Sequence, residues 1–245
     1  MHAFPANLFV VCHQIRSLDN LGAIARVMAN FGVSRLILSD PARYDFRGAE
    51  KLAVGAEEVL ANMAVARDLD EALTDVVYAL GSSSRERLKR QSVLAPDDAA
   101  RRLAAQAQRG KVALVLGGEK RGLSDDELAR CQDVVVIPTA PKQPSMNVSH
   151  AAAVLLYLIT QAKKASPPSA TPEPGAPQRL WQKLEETMKE ALEGAGWLNP
   201  QAPRHALREL MRALQKGRLS QREAQMWLSA FEHLARATRR PARPS

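Results

Sequence analysis

The sequence predicts an open, mostly parallel α/β sheet followed by a small all-helical module. Five short apolar runs are rich in Val, Ile and Leu and do not alternate with polar residues. That is the pattern of parallel strands covered on both faces. Helix-like segments separate the runs, which is the βα alternation of a layered α/β domain. A Pro/Ser/Ala-rich stretch then precedes three amphipathic helical patterns, so a second, smaller unit is expected beyond a linker.

The five predicted strands are LFVVC (Leu8–Cys12), RLILS (Arg35–Ser39), VVYAL (Val76–Leu80), VALVLG (Val112–Gly117) and VVVIP (Val134–Pro138). Between them lie NLGAIARVMANFG, LDEALTDV, PDDAARRLAAQAQRG and SDDELARC. The last two open with Pro-Asp-Asp and Ser-Asp-Asp, which are good helix starts. Residues 1–163 are therefore expected to form one domain and 164–178 a linker. Residues 179–240 form the helical extension and 241–245 a basic tail. In that extension Leu180, Leu184, Met188 and Leu192 share one helix face, and Leu207, Leu210, Met211 and Leu214 share another. Ala224, Trp227, Leu228, Phe231 and Leu234 mark a third, opened by a capping box of Ser220 and Glu223. All three stripes read as core.

The 245 residues carry a formal net charge of +8, unevenly placed. From Arg179 to Ser245 there are 13 Lys/Arg against 7 Asp/Glu, a net of +6, leaving +2 for the rest. A basic module of this kind suits an anionic polymer such as nucleic acid, because phosphate neutralisation releases counterions. Aromatic residues make up only 4% of the chain, which argues against a base-stacking platform. The two cysteines, Cys12 and Cys131, lack any CxxC or Cys/His company, so no metal site is expected and reduced thiols fit a cytoplasmic protein. The start has no signal-peptide pattern. No apolar run approaches the roughly 20 residues of a membrane span.

Chemistry collects where the predicted strands end. After the first, Asn20, Gly22 and Arg26 lie along a helix start, where a plain N-cap and a surface arginine would also explain them. After the third comes GSSSRERLKR, a Ser-rich turn with Arg85, Arg87, Lys89 and Arg90, suited to hydroxyl and phosphate contacts. After the fourth, LGGEKRGL lacks both G-x-x-x-x-G-K-[ST] and G-x-G-x-x-G, which excludes the common nucleotide fingerprints. Gly117 and Gly118 there permit close backbone approach to a flat ligand, and Glu119 favours a neutral or cationic one. After the fifth, Ile137 leads into a proline-stiffened loop with Lys142, Pro144, Ser145, Met146 and Asn147. His13 and His150 look isolated. No Ser-His-Asp set or carboxylate pair is evident, which argues against a hydrolase.

In that order and at those strand ends, NLGAIAR, LVLGGEKRGL and IPTAPKQPSMNVSHAAAVLLY resemble the three motifs of SpoU-type RNA 2'-O-methyltransferases of the SPOUT superfamily. The resemblance implies a C-terminal deep trefoil knot in the first domain, which periodicity alone would never suggest. It implies S-adenosylmethionine as methyl donor and an obligate homodimer with a shared site. Ser82, Ser83, Ser84, Gly117, Gly118, Ile137, Pro144, Ser145 and Met146 would hold the donor. Arg26, given by the partner protomer, would act at the ribose, supported by Asn20, Glu119, Ser145 and Asn147. Arg26, Arg85, Arg87, Arg90 and Lys142 would contact RNA.

GSSSRER and the helical tail further resemble the branch that methylates nucleotide 32 of the tRNA anticodon loop. That branch usually has Gly-Thr-Ser-Ala-Arg where Gly81-Ser82-Ser83-Ser84-Arg85 stands, and Leu where Met146 stands. Ser82 keeps the hydroxyl and Met146 keeps the volume. Ribosomal RNA or another tRNA site is the nearest alternative. A non-catalytic RNA-binding protein on the same fold, or a nucleotide-dependent oxidoreductase, would be rivals of another class.

Overall fold

The computed structural model describes residues 6–42, 45–85, 92–165, 173–198 and 203–238. The chain divides into two compact units, residues 1–172 and 173–245.

The first unit is built on β1 (Leu8–His13), β2 (Arg35–Ser39), β3 (Ala64–Ala66), β4 (Val76–Ser83), β5 (Val93–Leu94), β6 (Lys111–Leu116) and β7 (Asp133–Val136). They form one sheet in the order β3-β2-β1-β6-β4-β7-β5, and every ladder is parallel. Its helices are α1 (Leu18–Asn30), α2 (Glu57–Ala61), α3 (Leu69–Ala72), α4 (Pro96–Gln106), α5 (Asp125–Leu128) and α6 (Val148–Ala165).

Strand alternation sorts the core into two layers. Leu8, Val10 and Cys12 of β1, with Val112, Leu114 and Leu116 of β6, pack against Met28 of α1, Leu103 of α4 and Leu155 of α6. Val11, Ala113 and Val115 face the other way, against Leu69 of α3 and Leu128 of α5. Apolar side chains are thus needed at consecutive positions, which is why the strands read as unbroken hydrophobic runs. Gly22 lets α1 sit close to the turn at Ala49–Lys51, since a Cβ there would lie 2.0 Å from the Ala49 carbonyl oxygen.

Helix starts follow the expected chemistry. Pro96 occupies the first turn of α4. Ser124 and Glu127 form a reciprocal capping box on α5. The start of α1 differs: Ser17 is the N-cap, its side chain accepting from the Asn20 N–H at 3.2 Å, so Asn20 is freed for another task.

The second unit comprises α7 (Gln178–Gly194), α8 (Pro203–Lys216) and α9 (Gln221–Thr238). Trp181, Leu184, Met188, Leu207, Met211, Ala224 and Leu228 make its core. Ser220 and Glu223 cap α9 reciprocally, as expected. Two features differ from the sequence reading. Trp227 is 43% exposed and Leu234 50% exposed, so the α9 stripe is wider than the face it buries. The end of the expected linker also belongs to this unit. Ala176 is buried and its N–H donates to Leu219 O at 3.2 Å, while the Gln221 N–H donates to Pro174 O at 2.8 Å.

Candidate active site

The carboxyl ends of β4, β6 and β7 open onto one cavity of about 490 Å³, the end at which α/β sheets bind ligands. From β4 come Ser82 and Ser83, Ser84 follows directly after it, and from the turn after β6 come Gly117 and Gly118. From the segment after β7 come Ile137, Pro144, Ser145 and Met146. All nine residues expected at the methyl donor therefore converge. The serines reach the site differently from the sequence reading. Ser82 and Ser83 are still in β4, paired with Val135 and Val136 of β7, rather than in a turn.

Asn20, Glu119 and Asn147 also line the cavity and form a directed hydrogen-bond relay. Asn147 Oδ1 accepts from the Ser149 N–H at 2.8 Å and the Ser149 hydroxyl at 2.7 Å, capping α6. Its Nδ2 donates to Asn20 Oδ1 at 3.0 Å. Asn20 Nδ2 in turn donates to Glu119 Oε1 at 3.0 Å. The Glu119 carboxylate also accepts from the backbone N–H groups of Ser17 at 3.0 Å and Arg16 at 3.1 Å. Burial pushes the Glu119 carboxyl up, but the donors from Asn20, Ser17 and Arg16 outweigh it and hold it below the usual carboxylate range.

The glycines have a task in the loop itself, beside their place in the cavity wall. A Cβ on Gly117 would lie 2.4 Å from Gly122 C and 2.5 Å from Leu123 N, and one on Gly118 would lie 2.6 Å from Gln14 O. Their bare backbones let the loop after β6 fold on itself, closed by the Gly122 N–H donating to Gly118 O at 2.9 Å. Close approach to protein backbone is thus needed at both glycines, which also line the cavity.

The expected RNA-contacting cations differ in their surroundings where they are described. Arg26 is exposed on α1 and does not line its own chain's cavity. Arg85 is engaged internally, its guanidinium donating to Asp125 Oδ1 at 2.6 Å and to Leu123 O at 2.8 Å. Lys142 is exposed on the loop after β7. Arg87 and Arg90 lie outside the described residues. Thr139, Gln143, Lys120 and Arg121 line the cavity but carried no sequence signal beyond proximity to the motifs.

His13 is not isolated. Its Nδ1 lies 3.0 Å from Ser39 Oγ and its Nε2 lies 3.3 Å from Glu127 Oε1. This Ser-His-Glu line resembles a hydrolytic triad in composition only. Ser39 has no exposed surface and His13 is 4% exposed, so no acyl group could reach the hydroxyl. The line ties the ends of β1 and β2 to α5. Cys12 and Cys131 are buried, and burial pushes both thiols up to about 12, Glu119 adding to the effect at Cys12. His150 is exposed at the start of α6.

The sequence matches the SpoU rRNA Methylase family over residues 7–157. It is 30% identical over 223 residues to the tRNA (cytidine/uridine-2'-O-)-methyltransferase TrmJ of Cronobacter sakazakii, spanning 89% of this chain and 91% of that one. The crystal structure of TrmJ from Z. mobilis ZM4 matches 95% of this chain and 99% of its own with a TM-score of 0.80 at 25% identity. A probable methylase family protein from Haemophilus influenzae Rd KW20 matches with a TM-score of 0.62, also at 25% identity, over 95% of this chain and 99% of its own. With its parallel sheet, its cavity at the strand ends and a family match across more than half its length, the chain belongs to the SpoU family of SPOUT RNA 2'-O-methyltransferases.

Proposed function

We propose that the protein transfers a methyl group from S-adenosylmethionine to the ribose 2'-oxygen of nucleotide 32, C or U, in the anticodon loop of tRNA. The observation that carries this reading is the single cavity formed by all nine residues expected at the donor, with the Asn147-Asn20-Glu119 relay on its wall. Its volume of about 490 Å³ falls in the range of small-molecule sites, about 300–1,000 Å³. The lining fits the donor's chemistry. Val135, Ile137, Met146 and Ala151 offer apolar surface to a flat base, Ser82, Ser83 and Thr139 offer hydroxyls, and Glu119 offsets a cation.

S-adenosylmethionine supplies a methyl group already activated on a sulfonium, so the chain's residues need only bind, orient and manage a proton. Glu119, Asn20 and Asn147 fix the start of α1 and the loops after β6 and β7 relative to one another. Ser145 stands beside them at the cavity. Arg26 holds the adjoining phosphate and the oxygen on which charge develops, rather than accepting a proton, because a guanidinium stays protonated. Its exposure outside its own cavity supports delivery from a second copy, hence a homodimer. A knotted chain accords with β4 seated between β6 and β7, although β6 and β7 follow one another among the strands.

The choice of tRNA over ribosomal RNA rests on reach. The family match ends at residue 157, whereas similarity to the Cronobacter enzyme spans 89% of the chain and so extends into the basic helical unit. Residues 173–238 are read as the tRNA-binding extension, raising local substrate concentration at the catalytic unit. Methyl transfer from labelled S-adenosylmethionine to total tRNA, with mapping of the modified ribose, tests the proposal. Product at nucleotide 32 is expected. Product elsewhere refutes the position, and product on ribosomal RNA alone refutes the substrate. An Arg26→Lys chain tests the arginine's role, since full retention of activity excludes a forked guanidinium contact.

A further inference from the structure

A second cavity of about 330 Å³ lies beside the first and shares with it Gly118, Glu119, Lys120 and Arg121. Its remaining lining is Gln14 and Arg16. Three cations thus face one carboxylate. The Glu119 carboxylate stays negative but is turned to Asn20 and the backbone N–H groups of Ser17 and Arg16, so the cations outnumber it across the rest of the lining. Arg121 is a brace, its Nη2 donating to Gln14 Oε1 and pairing with Glu127 Oε1, each at 2.9 Å. The Arg16 guanidinium and the Lys120 ammonium are exposed, and neither side chain has a hydrogen-bond or ion-pair partner among the described residues.

The backbone here is held out of its ordinary range. Gln14 has φ 57° and Asp40 has φ 47°, at the ends of β1 and β2. Neither is glycine, and such conformations persist only when their surroundings enforce them. Gln14 is pinned on three sides, by its N–H to Ser39 O at 2.9 Å, its Nε2 to Asp40 Oδ2 at 2.6 Å, and Arg121. The result is a rigid floor under two unpaired cations, one loop's width from the cavity read as the methyl-donor site.

We propose that this second cavity is a phosphodiester site, in which Arg16 and Lys120 grip a backbone phosphate of the RNA strand next to the ribose being methylated. The inference rests on the function proposed above, because the strand must run along the mouth of the first cavity. A phosphate flanking that ribose then falls beside the loop from Gly118 to Gly122, which walls both cavities. A phosphate offers charge without base identity, so the site sets register and affinity and not the choice between C and U. Arg16 gives a planar fork and Lys120 a point charge. Neither residue belongs to the relay that orders the first cavity through side chains, and Arg16 does not line that cavity.

The experiment is steady-state methyl transfer to tRNA by full-length wild-type, Arg16→Ala, Arg16→Lys, Arg16→Glu and Lys120→Ala chains across a salt series. Binding of S-adenosylmethionine is measured alongside by calorimetry. Each alanine change is expected to raise the KM for tRNA several-fold to about tenfold, and in Arg16→Ala, outside the first cavity, kcat at saturating tRNA is kept within about twofold. Each should also flatten the plot of log(kcat/KM) against log salt by about 0.7 to 0.9, one phosphate contact. Arg16→Lys should keep the wild-type slope, and Arg16→Glu should weaken tRNA further than alanine. Donor affinity should not change in the Arg16 series. Unchanged KM and slope in both Arg16→Ala and Arg16→Glu, with wild-type transfer intact, overturns this inference alone. A wild-type chain that binds donor yet methylates no RNA overturns the function and the inference with it.

Discussion

Replacing Asn20 by Asp separates geometry from electrostatics at the site, because the two side chains have almost the same shape. Asn20 Oδ1 accepts from Asn147, and an Asp oxygen would do so equally well. The other end fails. Asn20 Nδ2 lies 3.0 Å from Glu119 Oε1, so an Asp oxygen there meets a carboxylate with no proton between them. Two unit charges 3.0 Å apart repel by about 1.4 kcal/mol in water and about 5.5 kcal/mol at an effective dielectric of 20. Both side chains are partly solvated, which favours the lower part of that span, and the lost charge-assisted hydrogen bond adds about 1.5 kcal/mol or more. About 3–4 kcal/mol of lost loop order corresponds to roughly 150- to 900-fold in activity. The assay is kcat/KM for tRNA methylation from about pH 5 to 8, with donor affinity measured in parallel. The pH trends should differ, since over this window wild type keeps the Glu119 contribution whole while the variant's deficit depends on pH. In wild type the Glu119 carboxyl is held low, so its contribution is full above the ordinary carboxylate range and is lost as pH falls through the folded value. In Asn20→Asp, like charge raises one of the two carboxyls, so the defect shrinks as pH falls. An Asn20→Asp chain that matches wild type at neutral pH, or whose deficit grows toward acid, refutes the relay as the source of site order.

Three further outcomes follow from the same geometry. Gly117→Ala places a Cβ within 2.6 Å of two backbone atoms of Gly122 and Leu123. It should cost about 1–3 kcal/mol in urea denaturation and weaken S-adenosylmethionine binding at least tenfold; a stable chain with intact binding contradicts the loop's self-packing role. Cys12 and Cys131, buried with thiols pushed up to about 12, should resist iodoacetamide at pH 8 in the native state and react after denaturation, as read by mass spectrometry. A chain ending after Pro172 retains the whole sheet and its two core layers. It should fold and bind S-adenosylmethionine by calorimetry but methylate tRNA poorly, and undiminished methylation would remove the need for the helical unit.

The sequence revealed strands where both faces are buried, because burial on both sides forces consecutive apolar residues. It was silent at the sheet's two edges. β3 (AVA) and β5 (VL) are the outermost strands, and edge strands of two or three residues leave no hydropathy run to detect. Ser82 and Ser83 read as a turn because hydroxyls are rare in buried strands, yet pairing with β7 extends β4 through them. Gly117 and Gly118 were legible as places of close approach, but the partner at that approach is a residue distant in sequence or a loop folding on itself, which no local pattern encodes. The Ser39-His13-Glu127 line was invisible for the same reason, since its members come from three elements. Trp227 looked like core from its spacing on α9, but spacing gives a face and not the width of the groove that receives it.

The two thiols and the histidine-paired hydroxyl of Ser39 are kept apart from the cavity, and this bears on the reaction. Both thiols are buried with raised pKa, and the hydroxyl nearest a histidine lies under the sheet end with no exposed surface. No covalent relay through the protein is offered by these groups. Around the cavity, by contrast, the amides of Asn20 and Asn147 have their acceptors and donors committed in one direction, because Asn147 must spend its oxygen on the α6 cap. That leaves only its Nδ2 for Asn20, which must then turn its own Nδ2 outward, and a carboxylate at Glu119 is the one acidic side chain that completes the sequence without an unpaired donor. A helix cap thereby fixes the orientation of a side chain 127 positions earlier in the chain. Such a site is built to hold geometry, which is what an in-line methyl transfer from an activated donor asks of a protein. On the proposed reading the cations beside the cavity then add affinity and register for the RNA strand, while the relay keeps the reacting groups in line.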